Sequence, residues 1–183
     1  MSAEQRNEAV AQAPKGRGGG WLVSILFFAA MAAILAFTPG ALNLAGFANI
    51  AFKAPDFAPL FAMPLLVQFH VATVALALVI GPIQFVLPKG GPWHRILGWT
   101  WVAAMGSTAI ATLFIRDMRD GAFSGIHLFS LMALIGLPLA VLSARAGRRD
   151  GHARAMIGLY IGLVIAGLAA IAPGRLIWDM FFR

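Results

Sequence analysis

Residues 123–144, FSGIHLFSLMALIGLPLAVLSA, decide the fold class of this chain. The stretch contains no Lys, Arg, Asp or Glu, and about 20 apolar residues are enough to cross roughly 30 Å of hydrocarbon. Because lipid offers no hydrogen bonds, an isolated segment of this kind satisfies its backbone N–H and C=O groups only as a helix. The stretch therefore predicts a transmembrane helix, and this helix carries His127.

Four other stretches free of charged side chains have similar lengths, at 21–37, 60–87, 96–115 and 155–172. Hydrophobic residues make up 60% of the 183 residues and charged residues only 11%, which is far more apolar than a soluble domain. We therefore predict an all-α polytopic membrane helix bundle with about five transmembrane helices, numbered here as predicted helices 1 to 5.

The stretches between these helices divide the chain further. Residues 1–20 predict a polar cytoplasmic tail and 21–38 the first transmembrane helix. Residues 39–59 predict an external loop with an interfacial helical piece, because Pro55, Lys53 and Asp56 interrupt an apolar run. Residues 60–173 predict a four-helix transmembrane core, and 174–183 an external C-terminal tail.

The basic residues predict the orientation. Nine of the fourteen Lys and Arg residues lie in the N-terminal tail and in the turns after predicted helices 2 and 4. The other five lie on the opposite face. Since cytoplasmic loops carry the excess of Lys and Arg, the N-terminus is predicted to be cytoplasmic. The net charge of +7 is therefore expected to interact with anionic headgroups at the membrane surface and not with nucleic acid.

Several kinds of chemistry are excluded by the sequence. The chain has no cysteine, which excludes disulfides, iron–sulfur clusters and covalently attached haem. No motif for hydrolysis, nucleotide binding or zinc proteolysis is present, and no acidic residue lies within a predicted span. A carboxylate-based proton pump is therefore disfavoured.

A weak internal repeat relates predicted helices 2 and 3 to predicted helices 4 and 5. In each copy a histidine is followed by glycine and proline, then by a basic turn and a second histidine. The first copy contains His70, Gly81-Pro82 and His94, and the second contains His127, Gly136, Pro138 and His152. A genuine duplication predicts a pseudo-two-fold axis along the membrane normal.

Helix length places the four histidines in two pairs. His70 and His127 each lie 18 residues before the basic end of their helix, which at 1.5 Å per residue is roughly 27 Å from that face. His94 and His152 lie near the basic face itself. An imidazole inside a membrane is costly unless it meets a partner, so these pairs are candidate functional sites.

Two neutral imidazoles at one depth suit axial ligation of a haem b, and all four histidines are candidate iron ligands. Arg95 and Arg154, beside the second pair, are candidate contacts for propionates or headgroups. The alternative is structural. A histidine in a bundle often bonds to a hydroxyl, an amide or a carbonyl of another helix. Gln68, Gln84, Thr73 and Ser130 are available for that purpose.

The motifs around His70, Gly81-Pro82-Ile83-Gln84, His94-Arg95-Ile96-Leu97-Gly98, His127 and His152-Ala153-Arg154 carry a resemblance. Over about residues 60–173 the chain resembles a bacterial family of predicted membrane proteins of unknown function. This resemblance implies a multi-pass protein of the bacterial inner membrane. The helix and histidine pattern is also similar to the dihaem transmembrane cytochromes b, which implies pairing of His70 with His127 and of His94 with His152.

Three functions remain open at this point. The leading hypothesis is a membrane electron-transfer protein that binds one or two b-type haems and exchanges electrons with a quinone or small reductant. The second is a non-catalytic subunit or assembly factor of a larger respiratory or photosynthetic complex. The third is a metal-free quinone- or lipid-binding protein that uses the histidines as hydrogen-bond donors.

Overall fold

The computed structural model describes residues 51–115, 125–171, 173 and 175–182. Six helices are present there, with the bounds α1 Ala58–Phe61, α2 Leu65–Val86, α3 Pro92–Phe114, α4 Gly125–Arg145, α5 Arg149–Ala170 and α6 Leu176–Phe181. Within these residues α2, α3, α4 and α5 are each long and apolar enough to cross a membrane. The predicted all-α membrane bundle is confirmed, and its four spans place the protein in a lipid bilayer. The predicted tail at 1–20 and first helix at 21–38 lie outside the described residues.

The four spans form an antiparallel bundle. Each hairpin pairs its two helices, α2 with α3 and α4 with α5, and α3 also packs along α4. The bundle closes where α2 touches α5 over a shorter length. No Cα atom of α2 lies within 8 Å of α4 among the described residues, and the same holds for α3 and α5. The two helices of each predicted histidine pair therefore lie diagonally across the bundle.

The two hairpin turns at one end of the bundle are made by the same device. Gly90 has a φ of 81° and Gly147 a φ of 73°, in the left-handed region that favours glycine. In the second of these turns, Arg148 follows Gly147, and its N–H donates to the Ser143 carbonyl at 2.9 Å. This bond closes the end of α4. Pro92 occupies the first turn of α3, where its missing N–H costs nothing. Turn chemistry therefore sets where each span ends.

An apolar layer fills the middle of the bundle, and its pattern repeats. Each of the three buried positions of α5 matches a buried position of α3 at the 58-residue offset that separates His94 from His152. The matched pairs, all buried, are Trp101 with Leu159, Ala104 with Gly162, and Met105 with Leu163. Ile80 of α2 and Leu137 of α4 complete the layer. This shared register of burial is what a duplicated hairpin predicts.

The contact between α2 and α5 is centred on Gly81 and Tyr160. The Tyr160 ring lies so close to Gly81 that a Cβ atom at position 81 would overlap it. Pro82 has no N–H to give to the carbonyl one turn earlier, that of Leu78. The Tyr160 hydroxyl lies 3.4 Å from this carbonyl and donates to it, and Phe85 packs edge-on against the same ring. Pro82 thus leaves the Leu78 carbonyl free to accept a hydrogen bond, and Gly81 leaves room for the Tyr160 ring that donates it.

The chain around the core is also ordered at the end away from the glycine turns. Lys53 N–H donates to the Phe181 carbonyl at 3.1 Å, and Asp56 N–H donates to the Met180 carbonyl at 3.0 Å. Trp178 and Met180 of α6 are buried. The predicted loop at 39–59 and tail at 174–183 therefore meet each other in their described parts. The short helix α1 begins at the end of the former, and α6 lies within the latter.

The antiparallel topology can be tested by cysteine labelling, because the chain has no native cysteine. We expect Pro88→Cys and Ala146→Cys, both at exposed positions in the glycine turns, to react with a membrane-impermeant maleimide from the same side. Asp179→Cys, exposed in α6, should react from the other side. Labelling of positions 88 and 179 from one face in intact cells and inverted vesicles would contradict the four-span bundle.

The Gly81 contact predicts a specific stability change. Gly81→Ala should lower the free energy of unfolding in detergent by about 1–3 kcal/mol, the usual cost of overpacking, because the Tyr160 ring must move. Gly158→Ala is the matched control, since nothing lies within 4 Å of a Cβ atom there. The thermal midpoint of Gly81→Ala should be lower than that of Gly158→Ala. Equal midpoints would show that the Tyr160 ring is not confined.

Candidate functional site

The first histidine layer lies at the end of the bundle where α2 begins and α3 ends. His70 is half-buried, and its Nδ1 atom lies 3.2 Å from the Thr112 hydroxyl of α3. The Thr112 hydroxyl donates to the Thr108 carbonyl at 2.8 Å. Since α2 and α3 are hairpin partners, this bond ties His70 to its own hairpin. The partner of the His70 ring is therefore Thr112, which is not one of the four side chains that were expected to bond to a histidine.

Two further threonines extend this layer along the α2–α3 interface. The Thr108 hydroxyl donates to the Thr73 hydroxyl at 2.7 Å. The Thr73 hydroxyl in turn lies 3.0 Å from the carbonyls of Phe69 and His70 and donates to them. Each hydroxyl thus has an acceptor, which makes the cluster a satisfied polar network inside an apolar bundle.

His127 lies at the same end of the bundle, near the start of α4. Its side chain is buried, with 6% of its surface exposed. Ser130, one turn later, is buried as well, and its hydroxyl donates to the Ile126 carbonyl at 3.1 Å. His70 and His127 therefore lie within the first two turns of two diagonal helices, at one end of the bundle.

The second histidine layer lies at the opposite end, beside the glycine turns. Gln84 Nε2 donates to the backbone carbonyl of His94 at 3.2 Å, linking α2 to α3. Two buried polar atoms of this layer, Gln84 Oε1 and His94 Nδ1, have no hydrogen-bond partner among the described residues. His94 and His152 both lie in the first turns of their helices at this end of the bundle. Buried polar atoms without a partner are uncommon, so this layer is a candidate site for a ligand.

His152 has a defined ring orientation. Its Nδ1 atom lies 3.0 Å from the Ala140 carbonyl of α4. A carbonyl oxygen only accepts hydrogen bonds, so Nδ1 carries the hydrogen and Nε2 keeps a lone pair. The imidazole therefore presents a nitrogen that is competent as a metal ligand.

The basic residues of the two ends differ in their roles. Arg95 and Arg154, the predicted contacts for propionates or headgroups, are exposed near the second layer. Lys89 instead caps α2, because its Nζ atom donates to the carbonyls of Gln84, Phe85 and Leu87 at 2.8, 2.7 and 3.1 Å. At the other end, burial lowers the pKa of the Arg175 guanidinium from its usual value.

An apolar groove of about 790 Å³ runs along the outer face of α2 at the end that carries His70. Its walls come from α1, α2 and α6, and they include Phe57, Phe61, Phe69, Ala72 and Phe181. Gln68 is the single polar side chain in the lining, and its amide donates to the carbonyls of Phe61 and Met63. The groove therefore suits a hydrocarbon chain.

Within the described part of the chain, no group of three or more His, Asp or Glu side chains is placed to hold a metal ion. Thr112, Thr108 and Tyr160 are polar partners that were not predicted from the sequence. The spacing of Thr108 and Thr112, one turn apart in an apolar helix, is the signal that would have pointed to them.

The comparisons with known proteins give a family. The family described as "Predicted membrane protein (DUF2306)" matches residues 67–182, and the chain belongs to it. No curated protein and no solved structure matches the chain. The similarity to dihaem cytochromes b thus stays a prediction.

Proposed function

We propose that this member of the DUF2306 family is a membrane electron-transfer protein that holds one or two b-type haems between paired histidines. The observation that carries the proposal is the second histidine layer. His94 and His152 come from diagonal helices, and both lie in the first turns of these helices at one end of the bundle. In this role His94 and His152 would hold the haem iron from two different helices.

The chemistry of the two rings also fits the iron. His152 donates through Nδ1 to a backbone carbonyl, which is the contact that metal-ligating histidines commonly make with their second nitrogen. His94 has a buried ring nitrogen without a partner among the described residues, so ligation would satisfy it. A bis-imidazole haem, when bound, supplies one-electron reduction and oxidation. Arg95 and Arg154 stand exposed beside this layer, where propionates would reach them.

The first layer supports a second, equivalent site. His70 and His127 also come from diagonal helices and lie at one end of the bundle. Thr112 engages Nδ1 of His70, so Nε2 remains as the nitrogen for ligation. Two sites on opposite faces of an apolar layer would allow electrons to cross the membrane.

Absorbance spectroscopy of the protein purified in detergent from haem-replete cells tests the proposal. We expect reduced-minus-oxidised bands of low-spin haem b. The paired variant His94→Ala, His152→Ala should lose the haem of the second layer, and His70→Ala, His127→Ala that of the first. Haem quantified per polypeptide should therefore fall by half in either variant if two haems are bound, and to zero in one of them if only one is.

Ser107→Ala is the matched control, since among the described residues its hydroxyl bonds only to the Ala104 carbonyl of its own helix. Its haem content should equal that of the wild-type protein. A wild-type protein that is colourless, and that stays colourless after hemin is added, would refute the haem assignment. Bands that persist in both paired variants would refute these ligands.

The groove on α2 favours a second candidate, a metal-free quinone- or lipid-binding protein. Its volume of about 790 Å³ and its aromatic walls suit an isoprenoid or acyl chain. This function requires no metal. A colourless protein that retains quinone through purification, as shown by extraction and chromatography, would favour it over electron transfer through haem.

A further inference from the structure

We propose that Thr112 is a positioning residue that fixes the tautomer of His70 and so selects Nε2 as its ligating nitrogen. The starting observation is that the Thr112 hydroxyl has two neighbours but only one hydrogen. It lies 2.8 Å from the Thr108 carbonyl and 3.2 Å from His70 Nδ1. Because the carbonyl only accepts, the hydroxyl hydrogen points toward Thr108. A lone pair of the same oxygen then faces the imidazole.

The direction of the Thr112 bond decides the tautomer of His70. An oxygen lone pair accepts a hydrogen bond and cannot donate one, so the 3.2 Å contact is a hydrogen bond only if Nδ1 carries the hydrogen.

The neighbouring hydroxyls leave no alternative source of a hydrogen for Nδ1. Thr108 donates its own hydroxyl hydrogen to Thr73, and Thr73 donates to the carbonyls of Phe69 and His70. Every hydrogen of the three threonines is therefore used within the network. The bond from Thr108 to Thr73 and the contact between Thr112 and His70 both cross from α3 to α2, so the hairpin interface holds the ring in place.

This arrangement has a redox consequence that rests on the proposed function. A hydrogen bond from Nδ1–H to an acceptor increases the basicity of the ligating Nε2 atom and stabilises the oxidised iron. Loss of the acceptor should therefore raise the reduction potential. The assignment of the tautomer does not depend on haem.

The test compares Thr112→Val, which keeps the β-branched shape, with Thr112→Ser, which restores the hydroxyl. Thr100→Val is the matched control on the same helix, because the Thr100 hydroxyl makes the same bond to the carbonyl four residues earlier, that of Ile96, and is exposed. Thermal midpoints of all variants verify that they are folded.

If the purified protein carries haem, its midpoint potential is the readout. Thr112→Val should raise the potential of the haem that is lost in His70→Ala, whereas Thr112→Ser and Thr100→Val should leave it near the wild-type value. An unchanged potential in Thr112→Val, or an equal rise in Thr100→Val, would overturn the proposal even though haem is bound.

If the purified protein is colourless, ¹⁵N NMR of histidine-labelled protein is the readout. His70 should show a protonated Nδ1 and an unprotonated Nε2 in the wild type, and Thr112→Val should populate the other tautomer. A wild-type His70 protonated at Nε2, or a spectrum that Thr112→Val does not change, would overturn the positioning role. A colourless protein with the expected tautomers would refute the haem proposal alone.

Discussion

A polar group without a hydrogen-bond partner is expensive in hydrocarbon, and this cost organises the whole bundle. Pro82 leaves the Leu78 carbonyl without its helical donor, and Tyr160 reaches it from α5. The adjacent carbonyl of Ala77 accepts from the indole N–H of buried Trp101 on α3, at 3.0 Å. Side chains of two neighbouring helices thus donate to consecutive carbonyls of α2. The proline of the repeat thereby gives α2 a fixed position between its two neighbours.

The same cost separates the interior into layers. Apolar side chains occupy the middle of the bundle, and the histidines with their partners lie toward its two ends. Among the described residues, each polar group of the first layer that faces the α2–α3 interface has a threonine or a carbonyl as its hydrogen-bond partner. In the second layer two buried atoms, Gln84 Oε1 and His94 Nδ1, have no hydrogen-bond partner among the described residues. The layers therefore differ in how much of their hydrogen bonding the protein itself completes.

The spans and the depth of the histidines could be predicted from sequence because both depend on counting along one helix. The hydrogen-bond partners could not, because they depend on the rotation of one helix against another. Thr112 meets His70 across 42 positions of sequence, and Tyr160 meets Leu78 across 82. Gln84 was expected as a possible partner for a histidine ring, yet its amide donates to the backbone carbonyl of His94. Charge runs and apolar runs carry no information about such rotations.

The repeat is kept in the apolar layer and lost in the polar contacts. Trp101 and Leu159 are both buried at equivalent positions, but His152 donates to a carbonyl of α4 while the Nδ1 of His94 has no described partner. The reason lies in the packing, since α3 meets α4 along much of its length and α2 meets α5 mainly around Gly81. Equivalent histidines thus sit in unequal surroundings. A cofactor held by His94 and His152 would have two chemically different ligands. Its properties would depend on the hydrogen bonds of the two rings, which differ between the two hairpins.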